Sequence, residues 1–587
     1  MTVAAPRGDA ARALPPCDLV MKGGITSGVV YPGVVLELAH QYRFASIGGS
    51  SAGAIAAALC AAAEYGRQRD EGGGLEQLEA AVDNLRKPGF LLGLFQPSKA
   101  SQPLFEVLTS AFAAGLKTPR GVLVAAMHAV RHEPVVALIG AILLAGIVVL
   151  AIAASGALPG GLAFVLTALV VLVLVVTTAV AAIGRLVYRT VRALGKSNFG
   201  MCPGTQQDGQ TATALIDWLH ERIQACAGRG PLDKPLTFRD LEDEGVRLTM
   251  MTTDLSLARP VRMPDGLDGY WFKPGDFEGF PQRVIDAMPA GAAAGAAPHR
   301  PLAVKDLPIL VGVRLSLSFP ILLSTVPLYR DGGPGAERPR HLFSDGGISS
   351  NFPIHFFDAW FPRHPTFGID LADHPIDPDG DPDGEADGEA DGEAEDVFML
   401  HDPRAPTVPR WGEVETFSAF AMQIKDAAQN WRDTLQSELP GYRDRVCQIR
   451  LANGEGGLHL GMDLATIEKL IARGGQAGAK IRSTFDEQRW LQHRWVRYLT
   501  LMAQLQHNLQ DVGEPFGLFG PELAEGLPDD VKVYRDGRDA AWCARANEAT
   551  AALLALAAEW GPPPLGVDLD GPDGPLPRPD MRIVPSA

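Results

Sequence analysis

Between residues 135 and 184 the chain carries no charged side chain. Two apolar runs, 135–154 and 162–183, fill most of this stretch. Each is about 20 residues, the length a helix needs to cross a hydrocarbon core of ~30 Å. Ser155-Gly156-Ala157-Leu158-Pro159-Gly160-Gly161 between them reads as a turn. The pattern predicts a transmembrane helical hairpin with both outer ends on one side. The alternative is a helical hairpin buried in a large soluble core, which two adjacent charge-free spans of this length fit poorly. Lys117, Arg120 and Arg131 precede the hairpin, and Arg185, Arg189, Arg192 and Lys196 follow it. The turn is uncharged, so the positive-inside rule puts both flanks and the soluble mass in the cytoplasm.

The rest of the composition excludes several classes. Net charge is −17, and 11 acidic residues crowd into 377–396, where Asp-Gly-Glu-Ala recurs. That segment (376–396 as a unit) reads as a disordered, self-repelling insert without an EF-hand register. No basic patch points to nucleic acid. Six scattered cysteines make no C-x-x-C pair. Reduced thiols, no metal site and no cofactor are expected. Residues 1–16 lack the apolar segment of a secretory signal.

Three short motifs carry chemistry. Gly49-Ser50-Ser51-Ala52-Gly53 fits G-x-S-x-G. A half-apolar run, 43–48, precedes it and a strong helix former, 54–64, follows. Strand, glycine turn and helix is the setting of a nucleophile elbow. The competing reading is a helix start with a capping serine. Upstream, an apolar run at 17–21 leads into Lys22-Gly23-Gly24-Ile25-Thr26-Ser27-Gly28. A glycine-rich turn between strand and helix frees backbone N–H groups to hold a phosphate or an oxyanion. The turn fits neither the nucleotide P-loop nor G-x-G-x-x-G. The third motif is Asp345-Gly346-Gly347-Ile348-Ser349-Ser350-Asn351-Phe352-Pro353, which in isolation reads as a turn.

Further elements are expected along the chain. Residues 246–253 and 366–371 alternate as strands, 307–317 reads as a strand or a strand–helix junction, and 211–226 has helical spacing. Beyond the acidic insert the pattern is mainly helical, with an apolar stripe through Trp490, Leu491, Trp495, Tyr498, Leu499 and Met502. Residues 561–587 read as a loose Pro/Gly/Asp tail.

The three motifs in this order resemble the patatin-like phospholipases. The match runs over roughly 17–375, includes the Ser318-Phe319-Pro320 loop, and is interrupted by the hairpin. The resemblance implies an α/β patatin-like three-layer fold with a mainly parallel central sheet, followed by a mainly helical C-terminal region. The implied units are a flexible 1–16, patatin-like parts 17–130 and 197–375, a hairpin 131–196, the insert 376–396, helices 397–560 and the tail. It further implies a Ser–Asp dyad of Ser51 and Asp345. Gly23, Gly24, Ile25 and Ala52 would be oxyanion donors, and Gly28, Gly49, Gly53, Gly346 and Gly347 would shape the loops. The family loop is usually G-G-G-x-[RK]-G, so Ile25 and Ser27 depart from it. Larger bacterial patatin-related proteins have a similar K-G-G-x-T-S-G loop. The implied function is phospholipase A or lysophospholipase action at a bacterial inner membrane. Its partners would be the bilayer and a phospholipid or lysophospholipid. A general esterase or thioesterase, or a non-catalytic membrane scaffold, are the alternatives. His355, His364 and His374 follow Asp345 in the chain order of a Ser–Asp–His triad, the competing arrangement to the dyad.

Overall fold

The computed structural model describes residues 5–560 except 25, 71, 114–118, 155–159, 290–297, 332–336, 374–395, 401–413, 415–419, several positions between 421 and 438, 453–454, 458 and 526–539. The acidic insert (but for Asp396), the tail, Ile25 and His374 therefore lie outside the described residues. Thirteen strands are present among those described: β1 Pro16–Met21, β2 Arg43–Ser50, β3 Gly200–Cys202, β4 Arg247–Asp254, β5 Arg259–Met263, β6 Tyr270–Phe272, β7 Arg300–Pro301, β8 Ile321–Leu323, β9 Val326–Arg330, β10 Arg340–Asp345, β11 Thr366–Asp373, β12 Val397–Met399 and β13 Val446–Leu451.

Eleven of these strands form one sheet. Its centre is parallel, β13, β11, β1, β2 and β4 running side by side. Antiparallel strands extend it, β12 beyond β13 and β10, β9, β6 and β7 from β4, while β5 also pairs with β4. Central strands are buried on both faces, as crossover packing requires. In β4 every residue after Arg247 is buried, polar Thr249, Thr252 and Thr253 included.

The helix Ala52–Arg69 packs on β1, β2 and β4. Its alanines let it lie close to the sheet, with Ala54, Ala57, Ala58 and Ala61 fully buried. On the Val20 side of the sheet, Phe352, Ile354 and Val446 form a separate apolar cluster. The run 309–316 is a helix, not a strand: Pro308 precedes it and its residues are buried all round, so it shows no strand alternation. Five cysteines (Cys17, Cys60, Cys202, Cys226, Cys447) are buried free thiols.

Two expected boundaries shift. The region after the insert is mainly helical, but β12 and β13 return to the main sheet. The helix Leu464–Thr484 packs along the helix Tyr31–Leu38. Contact is backbone to backbone there, since a Cβ on Gly474 would overlap Val30 O. Sheet and C-terminal region thus share one core, a long-range pairing that periodicity cannot reveal.

Two helices, Pro134–Ala154 and Gly160–Leu194, are long and apolar enough to cross a membrane. Their apolar side chains point outward, with Leu150 69% and Ile152 70% exposed. Val107, Ala129, Ala182 and Leu186 form one buried cluster, so helices Gln102–Ala113 and Pro119–His132 join this unit, which starts before residue 131. Glu133 is buried at the start of the first apolar helix and bridges Arg185 at 2.9 Å and Arg189 at 2.8 Å. This one carboxylate offsets one of the two positive charges it bridges.

Candidate active site

β2 ends at Ser50 and the helix starts at Ala52, leaving Ser51 as the whole turn. Its φ of 56° and ψ of −128° lie outside the ordinary regions for an L-residue. Such strain costs on the order of 1–3 kcal/mol and persists only where the surroundings enforce it. Here they do. A Cβ on Gly49 would overlap the Gly53 carbonyl, and one on Gly53 would overlap the Met21 carbonyl. The Ser51 N–H donates to Ser316 Oγ at 3.1 Å. The Ser51 side chain is thereby presented at the mouth of a helix whose first N–H groups have no intrahelical partner.

Asp345 arrives from the other direction. β2 pairs with β4 up to Ser50 opposite Met251, and β10 pairs with β4 at Asp345 opposite Thr252. The ends of β2 and β10 therefore sit on successive residues of β4. The Ser318-Phe319-Pro320 loop holds the second end: Ser318 O accepts the Asp345 N–H at 3.0 Å and the Ser344 hydroxyl at 2.9 Å. Thr253 Oγ1 donates to Asp345 O at 2.9 Å. Asp345 Oδ1 accepts the Gly347 N–H at 2.7 Å. Oδ2 is buried with no fully formed hydrogen bond among the described residues. Burial pushes the Asp345 carboxyl up to about 7, opposed by the Ser51 hydroxyl and the Gly347 N–H. A long serine–carboxylate contact is common before substrate binds.

The glycine-rich loop lies beside this pair. A Cβ on Gly23 would come within 3.0 Å of the Ser51 Cβ and would overlap the Asn351 side chain. Lys22 leaves β1 and ties the loop down, its Nζ 2.6 Å from Asp370 Oδ1 and 2.9 Å from Leu371 O. Tyr31 donates its hydroxyl to Lys22 O. Ser27, at the position where the family has a basic residue, is buried with its hydroxyl against Gly24. One expectation fails: the Gly23 N–H is not free, because it donates to Asn351 O at 2.8 Å. Of the other expected donors, Ala52 follows Ser51 at the helix start, Gly24 lies against Ser27 and Leu371, and Ile25 is outside the described residues. A Cβ on Gly28 would come within 3.3 Å of the Ala52 Cβ. A Cβ on Gly346 would overlap Met251 O and the Ser50 hydroxyl, and one on Gly347 would overlap Asp345 Oδ1.

Among the three histidines, His364 is engaged elsewhere, 3.0 Å from Asp18. His355 stacks edge-on against Phe356. Neither is among the groups that act on the Asp345 carboxyl.

An apolar cleft opens from the elbow. Its empty volume is about 920 Å³ including the open mouth. Thr26, Gly28 and Ala52 line the end near Ser51, and Ile55, Ala56 and Leu59 continue along one face of the elbow helix. Leu94, Phe95 and Trp218 lie among its other walls. Sequence reasoning missed this cleft because its walls come from six separated stretches. It also missed Ser316, whose seryl side chain looks like any other in an apolar helix.

A strand–serine–helix elbow beside a buried carboxyl and a glycine-rich loop thus sits at the centre of an α/β fold with a mainly parallel sheet core. The chain belongs to the patatin-like phospholipases, a family of lipid hydrolases, whose model matches residues 19–171. Along nearly its whole length it is similar to the "RpoH suppressor" of Rhizobium meliloti (strain 1021), 34% identical, with 97% of this chain and 99% of that protein covered. Among solved structures it matches VipD from Legionella pneumophila at 12% identity and a TM-score of 0.28, covering 89% of this chain and 79% of that one.

Proposed function

We propose that the protein is a membrane-associated acylhydrolase of phospholipase A or lysophospholipase type, with Ser51 as nucleophile and Asp345 as its base. The observation that carries the reading is a strained serine held beside a buried carboxyl whose pKa lies near 7. An ordinary carboxylate is too weak a base for a serine hydroxyl, and desolvation is what strengthens it. Ser51 Oγ attacks the ester carbonyl as its proton passes to Asp345. Gly24 and Ala52 N–H groups, with the helix dipole, face the oxyanion. Collapse expels the alcohol, which takes the proton back, and leaves an acyl-Ser51. Water, deprotonated by Asp345, then attacks the acyl carbonyl; the ester bond to Ser51 breaks, Asp345 returns the proton to Ser51 Oγ, and the fatty acid leaves.

The lined cleft supports a long acyl chain as substrate, because it offers almost wholly apolar walls from Ala52 outward. The two apolar helices support attachment to a bilayer, with basic Arg192 and Lys196 on the cytoplasmic side. A tethered hydrolase meets lipid esters at high local concentration. Fatty-acid release from mixed phospholipid vesicles, beside Ser51→Ala and Asp345→Ala, tests the reading: release that vanishes in both supports it. Release that also vanishes when His355 or His364 is replaced would favour a triad instead. Turnover of soluble esters or thioesters without vesicle activity would favour a general esterase or thioesterase.

One observation favours a second reading. The committed Gly23 amide removes an expected oxyanion donor, as a non-catalytic membrane scaffold would allow. A fluorophosphonate probe that fails to label Ser51 in intact protein would favour that scaffold.

A further inference from the structure

Asp433 is distant in sequence from all three motifs, yet it is 5% exposed and reaches the centre of the site. Its Oδ2 accepts the N–H groups of Asn351 and Phe352, both at 2.7 Å, and its Oδ1 accepts the Ser350 hydroxyl at 3.1 Å. The Lys22 ammonium also acts on it. Hydrogen bonds from backbone N–H to a carboxylate are among the stronger ones in proteins.

The peptide held in this way faces two loops. Asn351 O accepts the Gly23 N–H of the glycine-rich loop. The Asn351 side-chain oxygen lies over both Gly23 and Gly347, occupying the space a Cβ would need. Gly347 is the residue whose N–H holds Asp345 Oδ1. Gln429, four residues before Asp433, donates to Gly347 O. Neither Asp433 nor Gln429 touches the Ser51 hydroxyl in any hydrogen bond described. Their reach is through Asn351 and Gly347.

We propose that Asp433 is a positioning residue: by pinning the Asn351–Phe352 peptide, it fixes the glycine-rich loop and the Asp345 loop at one separation across Ser51. Without it, three donors lose a buried acceptor, and Asn351 is free to shift with Gly23 attached. This rests on the acylhydrolase reading for its catalytic consequence, but the geometric coupling does not.

The test uses the full chain with Asp433→Ala and Asp433→Asn. Three quantities are measured: hydrogen exchange in peptides spanning residues 22–28, kcat and KM for p-nitrophenyl butyrate, and the thermal midpoint. In Asp433→Ala, exchange at Gly23 speeds up, and kcat falls about 10- to 100-fold with KM within about 2-fold, as misplacement of a catalytic constellation predicts. In Asp433→Asn the amide oxygen still accepts both N–H groups, so protection and kcat recover towards wild type. A folded Asp433→Ala protein with unchanged exchange and unchanged kcat overturns the proposal. Equal losses in both variants that track a lowered midpoint also overturn it, since they mark a general packing defect. Should Asp433→Ala not fold, Asp433→Glu keeps the charge but displaces the carboxylate. Faster Gly23 exchange there supports the coupling, and wild-type exchange overturns it. Wild-type protein without any turnover counts against the acylhydrolase reading, while the exchange measurement still decides the coupling.

Discussion

Ser51 and Asp345 meet because β4 brings the ends of two other strands to successive residues, Ser50 opposite Met251 and Asp345 opposite Thr252. The pair is therefore set by sheet register, and one strand places both side chains. The carboxyl carries the consequence. It is 3% exposed and its pKa is raised to about 7.

This raised value has a kinetic signature. Asp345 must be ionised to accept the serine proton, so kcat/KM for a soluble ester is expected to fall below about pH 7. A pH–rate profile measures it. An acidic limb near pH 4 would show an ordinary carboxyl and sink the account of its basicity.

The same shift predicts a stability effect of opposite sense. Below pH 3.8 the Asp345 carboxyl is protonated folded or unfolded. As pH rises to about 7 the unfolded chain releases the proton and the folded chain keeps it. Stability therefore declines across that window, by about 4 kcal/mol at most from a three-unit shift. Asp345→Asn is expected to abolish turnover yet raise the thermal midpoint at pH 8, with little change at pH 4. Calorimetry at both pH values checks the crossover.

Ser51 adopts a conformation that glycine enters freely. Ser51→Gly should stabilise the fold by roughly 1 kcal/mol through relieved strain, whereas Ser51→Ala keeps the Cβ and gains nothing of that kind. Both should lose probe labelling. Denaturant titration of the two variants separates strain from chemistry.

Ser316 offers a fourth check. Its hydroxyl is the acceptor for the Ser51 N–H in a buried setting. Ser316→Ala should cost about 1–3 kcal/mol for the orphaned N–H and slow fluorophosphonate labelling of Ser51. Labelling at the wild-type rate would show that the elbow holds without it.

The cleft predicts chain-length selectivity. Ala56 lies on its wall one helical turn beyond Ala52. Ala56→Trp should depress release of palmitate about 10-fold or more while leaving a butyryl ester within about 3-fold, since only the long chain must pass that point. Equal loss on both esters would place the acyl chain elsewhere.

Much of the site was legible as motif and order. Gly49–Gly53 announces an elbow because only glycines permit the backbone approach seen at Gly53 and Met21 O. Asp345-Gly346-Gly347 is ambiguous alone and became informative only with the elbow and the glycine loop in order. The departure at Ser27 was visible too, but its consequence was not: the hydroxyl packs on Gly24, and Lys22 is spent on Asp370. The expected Gly23 donor failed because its partner, Asn351, is distant in sequence.

The sequence by itself determined what local chemistry controls: the apolar lengths of 135–154 and 162–183, the elbow turn, and the strand at β4. These depend on residue type and near neighbours, so spacing carries them. Tertiary structure decided the raised pKa of Asp345, the Ser316 contact, the apolar cleft, the return of β12 and β13 to the sheet, and the reach of Asp433 to Asn351. Each of these depends on burial and on register between distant segments. Desolvation and cross-strand pairing are properties of the packed chain, and no window along the sequence contains both partners.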